Sequence, residues 1–225
     1  ARDGQGKHGM GTTCNALLVV GGKGVMGHVG DSRLYMVRNK RVYLLSVDHT
    51  YLNEAVRNGM MTPEQAAVSP YAHMVTRGVG VQNSVCVDTL TFDILPGDTL
   101  LQCSDGLYEY FQTEAEMIEL LTHPNVEGMP DRLIDLANNR GGKDNVTAVV
   151  LRAAVEQPTP HAEAKRVTEV TSNLDTLRLI GLFHDFDMQE LVIALNTFRP
   201  AHFDAGAQIV TEGDKGESLF VIVEG

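Results

Sequence analysis

Three aspartates stand where apolar segments end in turns, and they are the residues of this sequence best suited to chemistry. Asp31 lies in Gly-Asp-Ser-Arg, Asp105 in Ser-Asp-Gly and Asp144 in Lys-Asp-Asn-Val. If these turns meet at one end of a sheet, their oxygens would suit Mg²⁺ or Mn²⁺, hard cations that prefer carboxylate and water ligands. Each aspartate alone has a simpler interpretation, because Asp bonds its own backbone in tight turns. Spacing leaves both interpretations open.

The glycines, histidines and cysteines of the sequence form weaker functional patterns. Glycines 4, 6 and 9 fit G-x-G-x-x-G, but no strand precedes them and a strand follows, which favours a flexible loop over a dinucleotide site. The eight histidines show no zinc-ligand spacing. The three cysteines, Cys14, Cys86 and Cys103, form no C-x-x-C pair and no even set. We therefore predict three buried reduced thiols in a reducing, cytoplasmic setting.

Composition narrows the classes of partner. The 225 residues carry a formal charge of −11, which argues against nucleic acid or an anionic membrane as partner. No apolar run approaches the roughly 18 residues that a spanning helix needs. The sequence begins without Met and stops directly after an apolar run, so we expect both ends to be cuts through a longer protein.

The elements that must position the aspartates can be predicted in outline. Short apolar runs over residues 13–47, separated by turn residues, predict four strands in an antiparallel meander. A helix is predicted over 51–58, a Pro-led helical turn at 63–67, and strands over 85–94 and 98–103. Thr113 and Glu116 have capping-box spacing and open a helix; a second helix carries Leu133, and the strand 146–151 follows.

The remainder of the chain has a different organisation. Residues 153–175 contain two prolines and several charges without a clear period, and we interpret them as a linker that is partly helical. Asp187 and Glu190 predict a capped amphipathic helix. Strands are then predicted at 208–210 and 219–223.

Several short motifs occur in one order and carry a family resemblance. They are residues 10–13 (Met-Gly-Thr-Thr), 30–33 (Gly-Asp-Ser-Arg), 48–50 (Asp-His-Thr), 77–80 (Arg-Gly-Val-Gly), 96–101 (Pro-Gly-Asp-Thr-Leu-Leu), 104–107 (Ser-Asp-Gly-Leu) and 144–147 (Asp-Asn-Val-Thr). The set resembles the later motifs of the metal-dependent Ser/Thr protein phosphatases of type 2C, and the bacterial branch most closely. Residues 53–67 resemble that branch's flap subdomain. The match covers about residues 9–152.

The resemblance implies a fold, a reaction and a set of ligands. The fold is α+β, an αββα sandwich, and the reaction is hydrolysis of phosphoserine and phosphothreonine in proteins without a phosphoenzyme, with two or more Mn²⁺ or Mg²⁺ ions. Asp105 and Asp144 match ligands to the second metal, and Asp31 matches a position linked to a third, weaker one. Metal-site support is implied for Ser104, Gly106 and Asn145. The Asp48-His49 motif has no assigned catalytic role and is more simply structural.

The early motifs of that family, including the Asp-Gly whose Asp bridges two metals, do not occur in the 225 residues. The resemblance therefore implies a sandwich lacking its N-terminal strands, with those motifs expected upstream of residue 1. The expected metal cage is only partial, and these residues by themselves are expected to be inactive. Which residues are catalytic is left unknown.

The tail resembles a second family. Residues 180–183 (Ile-Gly-Leu-Phe), the helix through Leu195, and 212–214 (Glu-Gly-Asp) are similar to the start of a cyclic-nucleotide-binding domain. This implies the first part of a β-jelly-roll, without the later phosphate-binding cassette, so no nucleotide-binding residue is present. The domains expected are 1–152 (partial phosphatase), 153–175 (linker) and 176–225 (partial cyclic-nucleotide-binding domain).

Two functions are compatible with these motifs. One is a phosphatase that acts on a phosphoprotein and is regulated through a cyclic nucleotide. The other is a non-catalytic phosphatase-like scaffold coupled to a ligand-sensing module. The sequence upstream of residue 1 distinguishes them, because a scaffold would lack the bridging Asp-Gly.

Overall fold

A computed structural model describes residues 10–71, 74–154, 161–213, 215–216 and 218–223, with side chains in the helix after 160 described from residue 165 onward. The chain forms two compact units, Ala1–Thr159 and Pro160–Gly225. The glycine-rich loop of residues 4–9 lies outside the described residues. No helix within the described part is long and apolar enough to cross a membrane.

Seven strands of the first unit form two antiparallel sheets. They are β1 (Cys14–Val20), β2 (Lys23–Val29), β3 (Arg33–Arg38), β4 (Arg41–Leu44), β5 (Asp88–Asp93), β6 (Thr99–Cys103) and β7 (Ala148–Arg152). One sheet has the order β1-β2-β5 and the other β4-β3-β6-β7. The seven strands occur where the sequence predicted them.

The predicted single meander over residues 13–47 is wrong. The pairs β1-β2 and β3-β4 are both hairpins, but they belong to different sheets. The chain changes sheet at Gly30, whose φ of +106° favours glycine, and a Cβ there would lie 2.3 Å from the Thr13 side chain. Apolar periodicity cannot reveal such a crossing, because it indicates which residues are buried and not which strands pair.

The described residues of the first unit also form five helices: α1 (Tyr51–Arg57), α2 (Pro63–Ala67), α3 (Asp105–Tyr108), α4 (Glu114–Leu121) and α5 (Met129–Asn139). The predicted capping box of α4 is half formed. The Thr113 side chain accepts from the Glu116 amide at 3.1 Å, while Glu116 instead accepts from the Gln112 amide and pairs with Arg140.

The second sheet is buried on both faces. Tyr35, Leu101 and Cys103 pack with Leu121 and Leu133 of α4 and α5. The opposite face carries Leu34, Met36 and Leu100, which are 0–1% exposed. The first sheet buries Met26, Leu90 and Phe92, and Gln102 of the second sheet donates to Asn15 of the first. This arrangement is an α+β sandwich, as predicted.

The cysteine prediction is wrong at two positions. Only Cys103 is buried, and burial raises the pKa of its thiol to about 12. Cys14 begins the edge strand β1 on its outward face, and Cys86 lies in the loop before β5, so both thiols are exposed. All three are free.

The second unit contains helix α6 (His161–Leu179), a 3₁₀ turn (Gly181–Phe183) and helix α7 (Met188–Thr197). The predicted capping box of α7 is present, since Asp187 and Glu190 each accept from the other's backbone amide. Helix α6 takes in most of the predicted linker.

The strands predicted at 208–210 and 219–223 are absent: described residues 198–213, 215–216 and 218–223 contain no strand. Their apolar side chains are exposed, with Val210 at 70% and Ile222 at 77%. An apolar run becomes a strand only where a partner satisfies its backbone groups, and the described part of this unit provides none.

Candidate functional site

Asp31 lies in the turn between the two sheets. It follows Gly30 at the end of β2 and directly precedes β3, and it is 8% exposed. Burial raises the pKa of its carboxyl, and the negative charge of Asp105 raises it further. The carboxyl groups of Asp31 and Asp105 therefore lie within electrostatic reach of each other.

Asp105 is the first residue of helix α3, which starts as soon as β6 ends. Its Oδ1 accepts from the Gly106 amide at 2.9 Å. This one-turn helix was not predicted. Its sequence signal is an aspartate immediately after a buried strand and an N-cap serine, Ser104, but the segment is too short to show helical periodicity.

Asp144 lies in the exposed loop before β7, beside the start of α3. Ser104 joins the two segments: its Oγ donates to the Asn145 carbonyl at 3.2 Å and accepts from the Thr147 amide at 3.1 Å. Asp144 Oδ1 accepts from the Asn145 amide at 2.7 Å. A Cβ on Gly106 would lie 3.4 Å from the Asp144 Cβ and 2.4 Å from the Asn145 oxygen, so glycine permits this close approach.

Strand register places all three aspartates at one rim of the second sheet. Arg33 pairs with Cys103, and Cys103 pairs with Ala148. Arg33, Cys103 and Ala148 thus lie side by side at the ends of three adjacent strands. The segments next to them are the Asp31 turn, the start of α3 and the Asp144 loop. The sequence-predicted site residues are thus brought to the same edge.

The donor set suits a hard divalent cation but is incomplete. Carboxylates are the preferred ligands of Mg²⁺ and Mn²⁺. Among the described residues, no basic side chain forms an ion pair with any of the three aspartates. However, the same residues contain no group of three His, Cys, Asp or Glu side chains arranged to hold a metal. The three rim carboxylates therefore do not form a complete set of metal ligands among the described residues.

Sequence reasoning missed the role of Arg33, which braces the rim. Its guanidinium donates to Asp48 at 2.7 Å and to the Tyr35 hydroxyl at 2.9 Å, and it lies 3.7 Å from the centre of the Tyr108 ring of α3. Burial alone would lower the pKa of Arg33, but the hydrogen bonds and charges of Asp48 and Tyr35 together outweigh it and raise the pKa above its usual range. Arg33 thereby holds the start of β3 against α3. The only sequence signal was the Arg in Gly-Asp-Ser-Arg.

Solved structures of bacterial phosphatases share this sandwich. A serine/threonine phosphatase from S. agalactiae is 36% identical with a TM-score of 0.63, and the match covers 67% of this chain and 62% of that one. The Mycobacterium tuberculosis serine/threonine phosphatase PstP/Ppp is 35% identical with a TM-score of 0.61, covering 66% and 62%. A structure of the PstP catalytic domain contains two manganese ions; it is 36% identical with a TM-score of 0.56, covering 64% of this chain and 59% of that one.

Sequence comparison defines the family. The protein phosphatase 2C family model matches residues 3–135, and the chain belongs to this family. The serine/threonine phosphatase stp of Listeria innocua is 36% identical over 151 residues, which are 67% of this chain and 60% of that protein. Protein phosphatase PhpP of Streptococcus pneumoniae is 32% identical over 144 residues, covering 64% and 58%. The chain thus spans about three fifths of the length of these curated relatives.

Proposed function

We propose that this chain is the C-terminal part of a metal-dependent phosphatase domain that hydrolyses phosphoserine and phosphothreonine in proteins. The observation that carries the proposal is the placement of Asp31, Asp105 and Asp144 at one rim of a type 2C sandwich, without basic partners among the described residues. The names of the relatives add support, since they are serine/threonine phosphatases.

We assign each rim residue a separate part in that reaction. Asp105 and Asp144 would hold one Mn²⁺ or Mg²⁺ ion, and Asp31 would hold a further, weaker one. When bound, such ions lower the pKa of water and stabilise the charge on phosphoryl oxygens. Ser104 fixes the distance between the Asp105 helix and the Asp144 loop, Gly106 permits their contact, and the Asn145 backbone orients Asp144.

Removing one ligand tests the proposal in a protein that contains the whole family domain. Even indirect supports of metal sites typically contribute about 10–100-fold to affinity or activity. Asp144→Ala should therefore lower Mn²⁺-dependent hydrolysis of a phosphothreonine peptide about 100-fold or more. Asp135→Ala, an exposed aspartate on α5, is the matched control and should leave turnover unchanged. Wild-type turnover of Asp144→Ala at low Mn²⁺ would refute the assignment.

The incomplete ligand set of the described residues also favours a second candidate, a non-catalytic scaffold. The two differ in the sequence upstream of residue 1. An Asp-Gly motif there, together with Mn²⁺-dependent turnover, would support the enzyme; a full-length protein without that Asp would support the scaffold.

For the second unit we propose a regulatory role in which residues 176–225 begin a cyclic-nucleotide-binding domain. Support comes from the resemblance of residues 180–183 and 212–214 and from the capped helix α7 that follows the 3₁₀ turn. The test is equilibrium binding of cAMP and cGMP to a protein extended beyond residue 225. If neither cAMP nor cGMP bound, the proposal would be contradicted.

A further inference from the structure

His49 belongs to a motif that the proposed reaction does not use, yet it contacts the turn that carries Asp31. The side chain is 2% exposed. Its backbone amide donates to the Gly30 carbonyl at 2.8 Å, and its Nδ1 accepts from the Gly30 amide at 3.1 Å. Both peptide groups of Gly30 are therefore bound by one residue.

These contacts define the tautomer of the imidazole. Because Nδ1 accepts a hydrogen bond from an amide, the ring proton is on Nε2, and Nε2 donates to Asp88 Oδ2 at 2.9 Å. The other oxygen of Asp88 accepts from Arg77 Nη1 at 2.8 Å. The pKa of Asp88 is raised by burial but lowered more by the hydrogen bonds from His49 and Arg77. The carboxylate is thus a fixed anionic anchor for the ring.

The hydrogen bond that Nδ1 accepts from Gly30 is compatible only with a neutral His49 ring. The ring of His28 lies 4.8 Å away, tilted by 42°. Burial lowers the pKa of His28. A protonated His49 would point its Nδ1–H at the Gly30 N–H, and two donors cannot form a hydrogen bond. The observed contacts therefore require Nδ1 as the acceptor and Nε2 as the donor.

The conformation of the Gly30 turn links His49 to the residue that follows Gly30. Its φ of +106° is the conformation in which the chain passes from one sheet to the other. The peptide plane of Gly30 determines where the following carboxylate points, and residue 31 is the buried aspartate of the rim. A group that orients this peptide also orients Asp31.

We propose that His49 is a positioning residue. Its neutral imidazole connects the Asp88–Arg77 ion pair to the Gly30 peptide through hydrogen bonds. By holding that peptide, it orients the Asp31 carboxylate towards the rim shared with Asp105. The proposal rests on the proposed function only in treating Asp31 as a metal ligand. It assigns to the Asp-His motif a role in metal affinity and none in proton transfer to substrate.

Two substitutions separate the two hydrogen bonds of His49. Asn places an amide oxygen near the Nδ1 position and can accept from Gly30, whereas Gln places an amide N–H near the Nε2 position and can donate only to Asp88. The control is His184→Gln, an exposed histidine of the second unit. Each variant of the 225-residue chain is titrated with Mn²⁺ while paramagnetic broadening of backbone amide signals is followed by ¹H–¹⁵N NMR.

We expect His49→Gln to weaken Mn²⁺ binding reported at the Asp31 amide by about 10–100-fold, as for other residues that orient ligands. Broadening near Asp144 should change much less, because Ser104 positions that loop independently. His49→Asn should lie closer to the wild type. A purely structural role would instead lower thermal stability in both variants without a selective loss at Asp31.

A direct measurement on the wild-type chain accompanies the variants. Long-range ¹H–¹⁵N correlation should show His49 Nδ1 unprotonated and Nε2 protonated; the opposite tautomer would overturn the proposal. Identical Mn²⁺ profiles for wild type and both variants would also overturn it. If a variant does not fold, Asp88→Asn replaces it. This variant should weaken Mn²⁺ binding at the Asp31 amide by less than His49→Gln does. Unchanged Mn²⁺ binding in Asp88→Asn would count against the proposal. A wild-type chain without any Mn²⁺ effect at the rim would instead contradict the metal assignment of the proposed function.

Discussion

At the scale of the residue, the aspartates of the first unit differ in whether they have a basic partner. Four of them pair with basic side chains: Asp48 with Arg33, Asp88 with Arg77, Asp93 with Lys23 and Asp98 with Arg38. The three rim aspartates form no such pair among the described residues. Asp131 and Asp135 of α5 also form no such pair among the described residues, so the missing partner marks the site only together with the shared position at the rim.

Gly106 offers a test of how closely the rim must be packed. In Gly106→Ala the new Cβ would lie 2.4 Å from the Asn145 backbone oxygen, so helix α3 and the Asp144 loop must separate. Overpacking of this kind costs about 1–3 kcal/mol, and we expect a lower melting temperature together with weaker Mn²⁺ binding by titration calorimetry. Gly181→Ala, where nothing lies within 4 Å, is the control and should change neither. Unaltered Mn²⁺ affinity in Gly106→Ala would show that the contact is dispensable.

At the scale of the element, the chain crosses between the sheets at both ends of the sandwich. The crossing from β2 to β3 carries Asp31 and lies at the rim. The crossing from β5 to β6 lies at the other end and carries Asp98, whose carboxylate accepts from Arg38 at 2.6 Å and from the Leu95 amide at 2.7 Å. The carboxylate of Asp98 is therefore paired with a basic side chain, whereas that of Asp31 has no basic partner among the described residues.

The Asp98 crossing should dominate the electrostatic contribution to stability. Asp98 and Arg38 have side chains 2% and 5% exposed, so Asp98→Ala leaves a buried guanidinium without its anion, at a cost of about 3–5 kcal/mol. Lys23→Met removes a pair whose Lys is 47% exposed and should cost about 0–1 kcal/mol. Denaturant unfolding of both variants makes the comparison. Similar losses would mean that burial does not govern these pairs.

The contact between α4 and α5 should depend on pH. The pKa of Glu116 is lowered by its hydrogen bond with Arg140 and by the Gln112 amide. A lowered carboxyl pKa stabilises the fold above the unfolded value of 4.5, and the stabilisation is lost as the pH falls through the lower folded value. Glu116→Gln should therefore be less stable than the wild type at pH 7, with the difference disappearing below the folded pKa. Thermal melts across this range provide the measurement; a difference that grows towards acid pH would contradict the assignment.

At the scale of the whole molecule, the proposed metal site is incomplete within the described residues. Phosphoryl transfer depends on positioned charges more than on covalent chemistry from the protein. Two cations held close together repel strongly unless an anion lies between them, and the described residues offer no group of three ligands.

We therefore expect residues 1–225 alone to be inactive on a phosphothreonine peptide with excess Mn²⁺, while calorimetry detects weak binding of one ion. A protein with the complete family domain is the positive control. Robust metal-dependent turnover by the 225-residue chain would place the catalytic centre elsewhere.

The sequence by itself determined the local elements and the family. Short apolar runs between turn residues predicted all seven strands, and the Asp187–Glu190 spacing predicted the α7 cap, because these features depend on neighbours within a few residues. Ordered motifs identified the phosphatase resemblance that the family comparison confirms. The aspartates at 31, 105 and 144 were singled out from their turns, while their assignment as metal ligands came from the resemblance and stays a prediction.

The tertiary structure decided what depends on contacts distant in sequence. The division of β2 and β3 between sheets follows from Gly30 packing against Thr13. The bracing of the rim by Arg33 spans 15 residues to Asp48, and the bond from His49 to Asp88 spans 39. Strand formation in the tail likewise depends on a partner, which is why apolar residues 208–210 and 219–223 misled the prediction. Periodicity reports which residues are buried, but only the fold determines which of them meet.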